Sequence, residues 1–218
     1  MKPLIILNFK AYQEGVLKLK EIVKSAKEIN ESEVAEVYLA PPIIYALRTV
    51  ESGVPVLAQH VDAVSFGSNT GRIPPEMIAQ AGLKGSIINH SERRLRLADI
   101  EFLTSKLREL GLVSVVCTNN IETSRSAAAL NPDYVAVEPP ELIGSGIPVS
   151  KAEPEIVEGS VKAVKTINPS VKVLCGAGIS THEDLEAAVE LGAEGVLLAS
   201  GVIKAEKPGE KLKELAGI

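Results

Sequence analysis

The sequence predicts an α/β chain closed into a (β/α)8 barrel. Short apolar runs alternate with amphipathic segments along all 218 residues, and eight runs read as strands. The apolar stock is aliphatic: 45% of residues are hydrophobic but only 3% are aromatic, with no Trp. Parallel strands covered by helices on both faces draw on Val, Ile, Leu and Ala, and strict alternation of strand and helix implies right-handed crossovers between parallel strands. The length suits one large domain with a substantial core, so residues 1–218 are read as a single barrel domain.

Strands are expected at 4–8, 34–40, 54–59, 86–89, 113–117, 134–138, 171–175 and 195–199. After the first, Val16, Leu19, Val23 and Ala26 recur three or four apart with Lys and Glu between them, the pattern of a half-buried helix. Ser150 with Glu153, and Ser180 with Glu183, have the spacing of capping boxes. Gly111 and Gly192 stand where helices should stop. An open doubly wound sheet is the alternative architecture, but its G-x-G-x-x-G turn is missing: the first strand runs straight into Asn8-Phe9-Lys10. The Pro- and Gly-rich stretch 139–148 lies between a strand and a helix and reads as a functional loop.

A net charge of −5 gives no support for binding nucleic acid or a membrane surface, so an anionic ligand must be held by local features. The run 4–7 is too short for a signal-peptide core. Cys117 and Cys175 fit no metal or redox spacing and are expected as buried, reduced thiols, which suits a cytoplasmic protein.

In such barrels the chemistry sits at the carboxyl ends of the strands. Three reactive groups fall there. Lys10 could neutralise a phosphate or a developing oxyanion at the barrel mouth, with Asn8 bonding the same ligand, or it could be a solvated loop residue. His90 follows the fourth strand in Asn89-His90-Ser91-Glu92-Arg93-Arg94. If a helix opens near Ser91, its dipole keeps the imidazole neutral as a hydrogen-bond donor or proton shuttle; a packing histidine is the alternative. Glu138 ends an apolar strand, where lost hydration raises a carboxyl pKa and makes a better base, unless a basic neighbour pairs with it. His60 and His182 are expected as a loop residue and an exposed helix-start residue. Gly176-Ala177-Gly178-Ile179-Ser180 and Ala199-Ser200-Gly201 bring small residues to the ends of strands seven and eight, where backbone amides can approach a phosphate.

Taken together, Asn8-Phe9-Lys10, Asn89-His90-Ser91-Glu92-Arg93-Arg94 and Val137-Glu138-Pro139 resemble the triosephosphate isomerase family over nearly the whole chain. The resemblance implies a TIM barrel that interconverts dihydroxyacetone phosphate and glyceraldehyde 3-phosphate in glycolysis and gluconeogenesis, with no cofactor and no metal. It implies that Glu138 is the base, His90 the electrophile and Lys10 the catalytic cation. Asn8, Phe9 and Lys10 match the substrate-binding segment, and Glu92 a supporting carboxylate. Ile143, Gly144, Ser145, Gly178, Ala199 and Ser200 match the phosphate-gripping backbone. Where many members carry a Trp-containing hinge and a final Gly pair, this chain has Pro140-Glu141 and Ala199-Ser200. With its short length these features resemble the compact archaeal branch, which implies a thermophilic homo-oligomer, a tetramer ahead of a dimer. The segment 66–71 resembles the loop that docks into a neighbouring subunit. Other phosphate-binding barrels, or a non-catalytic phosphometabolite-binding barrel, are the competing readings. A Schiff-base aldolase would need a lysine within a late strand, and none stands in the middle of strands six to eight.

Overall fold

A computed structural model describes residues 2–142 and 147–218. Eight parallel strands form one sheet in the order β2-β1-β8-β7-β6-β5-β4-β3. They are β1 (Leu4–Asn8), β2 (Glu36–Ala40), β3 (Leu57–Ala58), β4 (Gly85–Ile88), β5 (Val113–Thr118), β6 (Tyr134–Val137), β7 (Lys172–Cys175) and β8 (Gly195–Leu198). The two outer strands meet through a parallel bridge between Leu39 and Val56, where the Leu39 amide donates to the Pro55 carbonyl at 3.0 Å. Gln59 reinforces that seam: its Nε2 donates to the carbonyls of Ala40 at 2.8 Å and Lys10 at 3.0 Å. The expected barrel is therefore present, with helices around it. The third strand keeps only two ladder residues, because the seam is held by this bridge and the Gln59 side chain in place of a regular register.

Strand alternation sorts side chains between two cores. Leu4, Ile6, Tyr38, Ala40, Ile87, Val115, Cys117, Ala136, Leu174 and Leu197 pack inside the barrel. The intervening residues, such as Ile5, Leu7 and Val37, pack outward against the helix layer. Period-two alternation thus carries Asn8 inward with Ile6, and Phe9 outward with Leu7. Phe9 is fully buried in the outer core, with Gly15 and Ile203 beside it. The Phe9 side chain, expected in the substrate-binding segment, does not line the cavity; it anchors the strand end between its two polar neighbours.

The helix pattern after β1 resolves into two helices, Gln13–Leu17 and Leu19–Ser32. The second buries Ile22, Ala26 and Ile29, so the apolar stripe runs just beside the expected line, with Leu19 and Val23 at its margin. Gly111 and Gly192 follow the helices Leu97–Glu109 and His182–Glu190 with φ of 68° and 92°, a left-handed turn that glycine accepts without a Cβ clash. The expected capping boxes are corrected. Ser150 lies within the short helix Val149–Ala152, and the helix Pro154–Ile167 has no side-chain cap. Near Ser180 the true box is one residue on, between Thr181 and Asp184. Cys117 and Cys175 are buried free thiols, as expected. Among the described residues no helix is long and apolar enough to cross a membrane.

Candidate active site

At the carboxyl ends of the strands lies a cavity of about 440 Å³. Its walls include Asn8, Lys10, Tyr12, His90, Glu92 and Glu138 on one side, and Gly178, Ser180, Ala199 and Ser200 on the other. Each polar group reaches it for a local backbone reason. Asn8 points inward by strand parity, and its Oδ1 accepts from the Lys10 amide at 2.9 Å. That bond holds Lys10 in a left-handed conformation with φ of 48°. A non-glycine residue there is uncommon and persists only where its surroundings impose it. The Lys10 ammonium then meets Glu92 Oε1 at 2.8 Å, with only 12% of the side chain exposed.

His90 follows a second left-handed residue, Asn89, with φ of 60°. Along β4 the even-numbered Ile88 faces the outer core, so simple alternation would send His90 outward too. The reversal at Asn89 turns it into the mouth. Asn89 is held on both sides of its amide: Nδ2 donates to the Cys117 carbonyl at 3.0 Å, and Oδ1 accepts from the Leu95 amide at 2.9 Å. Arg94 donates to the Asn89 carbonyl at 2.8 Å. The expected helix near Ser91 is absent; the next helix starts at Leu97. Its place is taken by one turn amide: the Glu92 N–H donates to His90 Nδ1 at 3.2 Å. A nitrogen that accepts this bond carries no proton, so the neutral tautomer bears its hydrogen on Nε2, facing the cavity.

Glu138 follows β6, with its amide donating to the Thr118 carbonyl at 2.8 Å. Strand parity places it inward with Tyr134 and Ala136. Its Oε2 lies 3.6 Å from His90 Nε2. Neither atom has a hydrogen-bond partner among the described residues, and both are buried. An ion pair at this distance would raise the histidine pKa and lower the carboxyl pKa. The shifts run the other way. Burial pushes the Glu138 carboxyl up to about 7, partly offset by the Cys117 thiol, Lys10 and Arg94. Burial, then the charges of Lys10 and Arg94, push the His90 imidazolium down to about 4, against the pull of Glu92. Loss of hydration outweighs mutual attraction, so near neutral pH the pair is a neutral imidazole beside a carboxyl group poised to exchange a proton.

Gly178 has φ of 81°, and a Cβ there would lie 1.9 Å from the Ile147 carbonyl oxygen. The backbone approaches so closely that only glycine fits, which keeps this wall thin. The helix Ser200–Ile203 opens toward the cavity. The structure therefore brings together Asn8, Lys10, His90, Glu92, Glu138, Gly178, Ala199 and Ser200. Ile143, Gly144 and Ser145 lie outside the described residues. Tyr12 and Gln59 were not singled out by sequence reasoning, nor were the supporting roles of Asn89 and Cys117. Their signal was position alone, beside a motif or at a strand end. His60, half-buried, faces Asp62 at 3.3 Å, and His182 Nδ1 contacts the Leu215 carbonyl at 3.0 Å, both away from the cavity.

Comparison with known proteins gives one family. The family model described as Triosephosphate isomerase matches residues 3–216. A triosephosphate isomerase of Archaeoglobus fulgidus is 62% identical over 220 residues, covering 98% of this chain and 97% of the relative. One of Methanocaldococcus jannaschii is 55% identical, covering 97% and 98%. One of Methanothermus fervidus is also 55% identical, covering 98% and 97%.

The electrostatics give a two-part prediction. In an NMR titration of imidazole nitrogens, His90 should stay neutral with the proton on Nε2 from about pH 5 upward, since its pKa lies near 4. If the ionised Glu138 carboxylate is required, activity of the free enzyme should fall as pH drops through about 7, where that group takes up a proton. A histidine pKa at or above the ordinary value of about 6.5 would contradict the assignment.

Proposed function

The chain belongs to the triosephosphate isomerase family, and from that premise we propose how its own residues divide the reaction. The enzyme interconverts dihydroxyacetone phosphate and D-glyceraldehyde 3-phosphate through an enediolate, a step of glycolysis and gluconeogenesis. The observation that carries the residue assignment is the facing pair of buried atoms, His90 Nε2 and Glu138 Oε2, without a partner among the described residues, with the Lys10 ammonium in the same cavity.

Glu138 takes a proton from C1 of dihydroxyacetone phosphate. The electron pair left behind forms the C1–C2 double bond, and the carbonyl π electrons move onto the C2 oxygen. Negative charge develops there in a site from which most water is excluded, where a fixed donor counts for most. His90 supplies the Nε2–H, Lys10 the full positive charge, and Asn8 its remaining amide donor. His90 then moves a proton between the C1 and C2 oxygens, and Glu138 returns its proton to C2. A carboxyl with a pKa near 7 suits both halves, since it gives up and regains a proton with little cost at neutral pH. Glu92 orients Lys10 through their ion pair. The phosphate is assigned to the wall made by Gly178, Ala199 and Ser200, where small residues let backbone amides approach it, together with Ile143, Gly144 and Ser145 from the loop after Glu138.

Assembly is part of the same proposal. Ile44, Leu47, Phe66 and Met77 are 78%, 59%, 52% and 45% exposed, which is costly for large apolar side chains left in water. We read the chain as a homo-oligomer, a tetramer ahead of a dimer. Light scattering should return a multiple of the 23.1 kDa chain mass, and a monomer at assay concentration would refute this.

A coupled assay for aldehyde formation from dihydroxyacetone phosphate, without added metal or cofactor, tests the catalytic assignment. Glu138→Asp should lower kcat by about 10²-fold or more with a smaller change in KM, because the base retreats by about 1 Å. Lys10→Met keeps the stem and should fold, yet lose transition-state stabilisation worth several kcal/mol, roughly the scale of an oxyanion contact. Near-normal turnover by either folded variant would remove that residue from its role.

A further inference from the structure

Behind the phosphate wall lies a buried carboxylate that the reaction does not use. Asp184 is 2% exposed and stands in the first turn of the helix His182–Glu190. Its Oδ2 accepts from the Ser180 amide at 3.0 Å, the Thr181 amide at 3.1 Å and the Ser180 hydroxyl at 3.3 Å. Its Oδ1 accepts from the Lys151 ammonium at 2.6 Å. Lys151 belongs to the helix Val149–Ala152, on the far side of the loop that follows Glu138. The two segments also meet through their backbones: the Val149 amide donates to the Ala177 carbonyl at 3.2 Å, and Gly178 lies against Ile147 and Pro148.

A capping box needs only one side-chain acceptor for its reciprocal bond. Asp184 does more than that, because one carboxylate fixes the turn 178–181 from below and joins it to a second segment. Both oxygens are occupied, so neither the turn nor Lys151 can rotate without breaking a charge-assisted bond. Burial opposes the carboxylate, but Lys151 and the two amides outweigh it and keep the group ionised below the usual carboxylate range.

We propose that Asp184, held by Lys151, is a positioning residue for the phosphate end of the substrate, setting the orientation of the backbone at Gly178–Ser180. The inference rests on the assignment of that wall to phosphate. Asp184 touches no substrate; it acts through the turn. The sign of its effect separates geometry from charge. A carboxylate near a dianion repels it, and replacing Asp184 by Asn frees the Lys151 cation. If charge alone mattered, Asp184→Asn would tighten binding of the phosphate. If the carboxylate sets the geometry of the turn, the same change loosens it.

The test compares kcat/KM for glyceraldehyde 3-phosphate with that for glyceraldehyde, which lacks the phosphate and whose slow deprotonation is followed by NMR in D2O. Asp184→Asn should lower the value for the phosphorylated substrate by about tenfold or more and leave that for glyceraldehyde within about twofold. Lys151→Met, which leaves the three donors on Oδ2, should move the ratio the same way by a smaller factor. If Asp184→Asn does not fold, Asp184→Glu decides the matter: it keeps the charge and moves the carboxylate, so it lowers the ratio only if the geometry of the turn is what counts. Equal losses on both substrates would make Asp184 a purely structural residue, and an unchanged or improved phosphorylated reaction would also overturn the proposal. Ser200→Asp tests the underlying assignment separately, because a new anion in the wall should raise KM for the phosphorylated substrate. If it does not, the phosphate reading fails whatever the Asp184 result.

Discussion

His90 Nε2 and Glu138 Oε2 face each other at 3.6 Å, buried and without a hydrogen-bond partner among the described residues. Two unsatisfied polar atoms in one place cost stability, since each has given up water and received nothing. The rest of the site is arranged so that this cost persists. The barrel brings the ends of β4 and β6 to one mouth, and Cys117 on β5 between them lies beneath both. Asn89 reverses the chain so that His90 points in, and the Glu92 amide fixes its tautomer. Lys10 is held by Asn8 and Glu92, close enough to favour the neutral histidine and too engaged to neutralise the carboxylate outright. Both side chains line the cavity, where a substrate would take up the hydrogen-bonding capacity that neither spends on the other.

Much of this was legible in the sequence. Lys10, His90 and Glu138 each follow an apolar run, and barrel geometry turns that placement into convergence. Strand count, parallel pairing and the glycine stops could be read because they follow from periodicity and from the left-handed turn. The failures have a common cause: they concern local geometry that one-dimensional spacing does not encode. Phe9 lies inside a recognisable motif, yet strand parity sends it outward into the helix layer. His90 stays neutral without the expected helix, because burial and nearby cations suffice. The box at Ser180 is displaced by one residue because Thr181 takes the cap and Asp184 answers it. Asp184 reads in sequence as one more acid at a helix start; its four donors come from 180, 181 and 151, and only folding brings the last of these to it.

The division of labour between strands and turns also explains where exchange is tolerated. Most inward strand residues are aliphatic, and for these others of similar volume would serve, Tyr38 and Cys117 being exceptions. The turns after β1 and β4 hold non-glycine residues in left-handed conformations, and β7 is followed by Gly178 pressed against backbone. At the cavity this strain holds reactive groups in place against their own preferences, while Glu33 and Asn131 are left-handed elsewhere, and Gly85 and Gly195 press on backbone at the other end of the strands.

The central claim is that Glu138 moves a carbon-bound proton by way of an enediolate. Dihydroxyacetone phosphate turned over in D2O, with the early product read by proton NMR, tests it most directly. A carboxyl base that exchanges with solvent leaves deuterium at C2 of the glyceraldehyde 3-phosphate, and Glu138→Gln, folded but unable to accept the proton, should form almost no product. Product formed at the wild-type rate by Glu138→Gln, with only protium at C2, would mean that hydrogen passes directly between the carbons, and the account would be wrong.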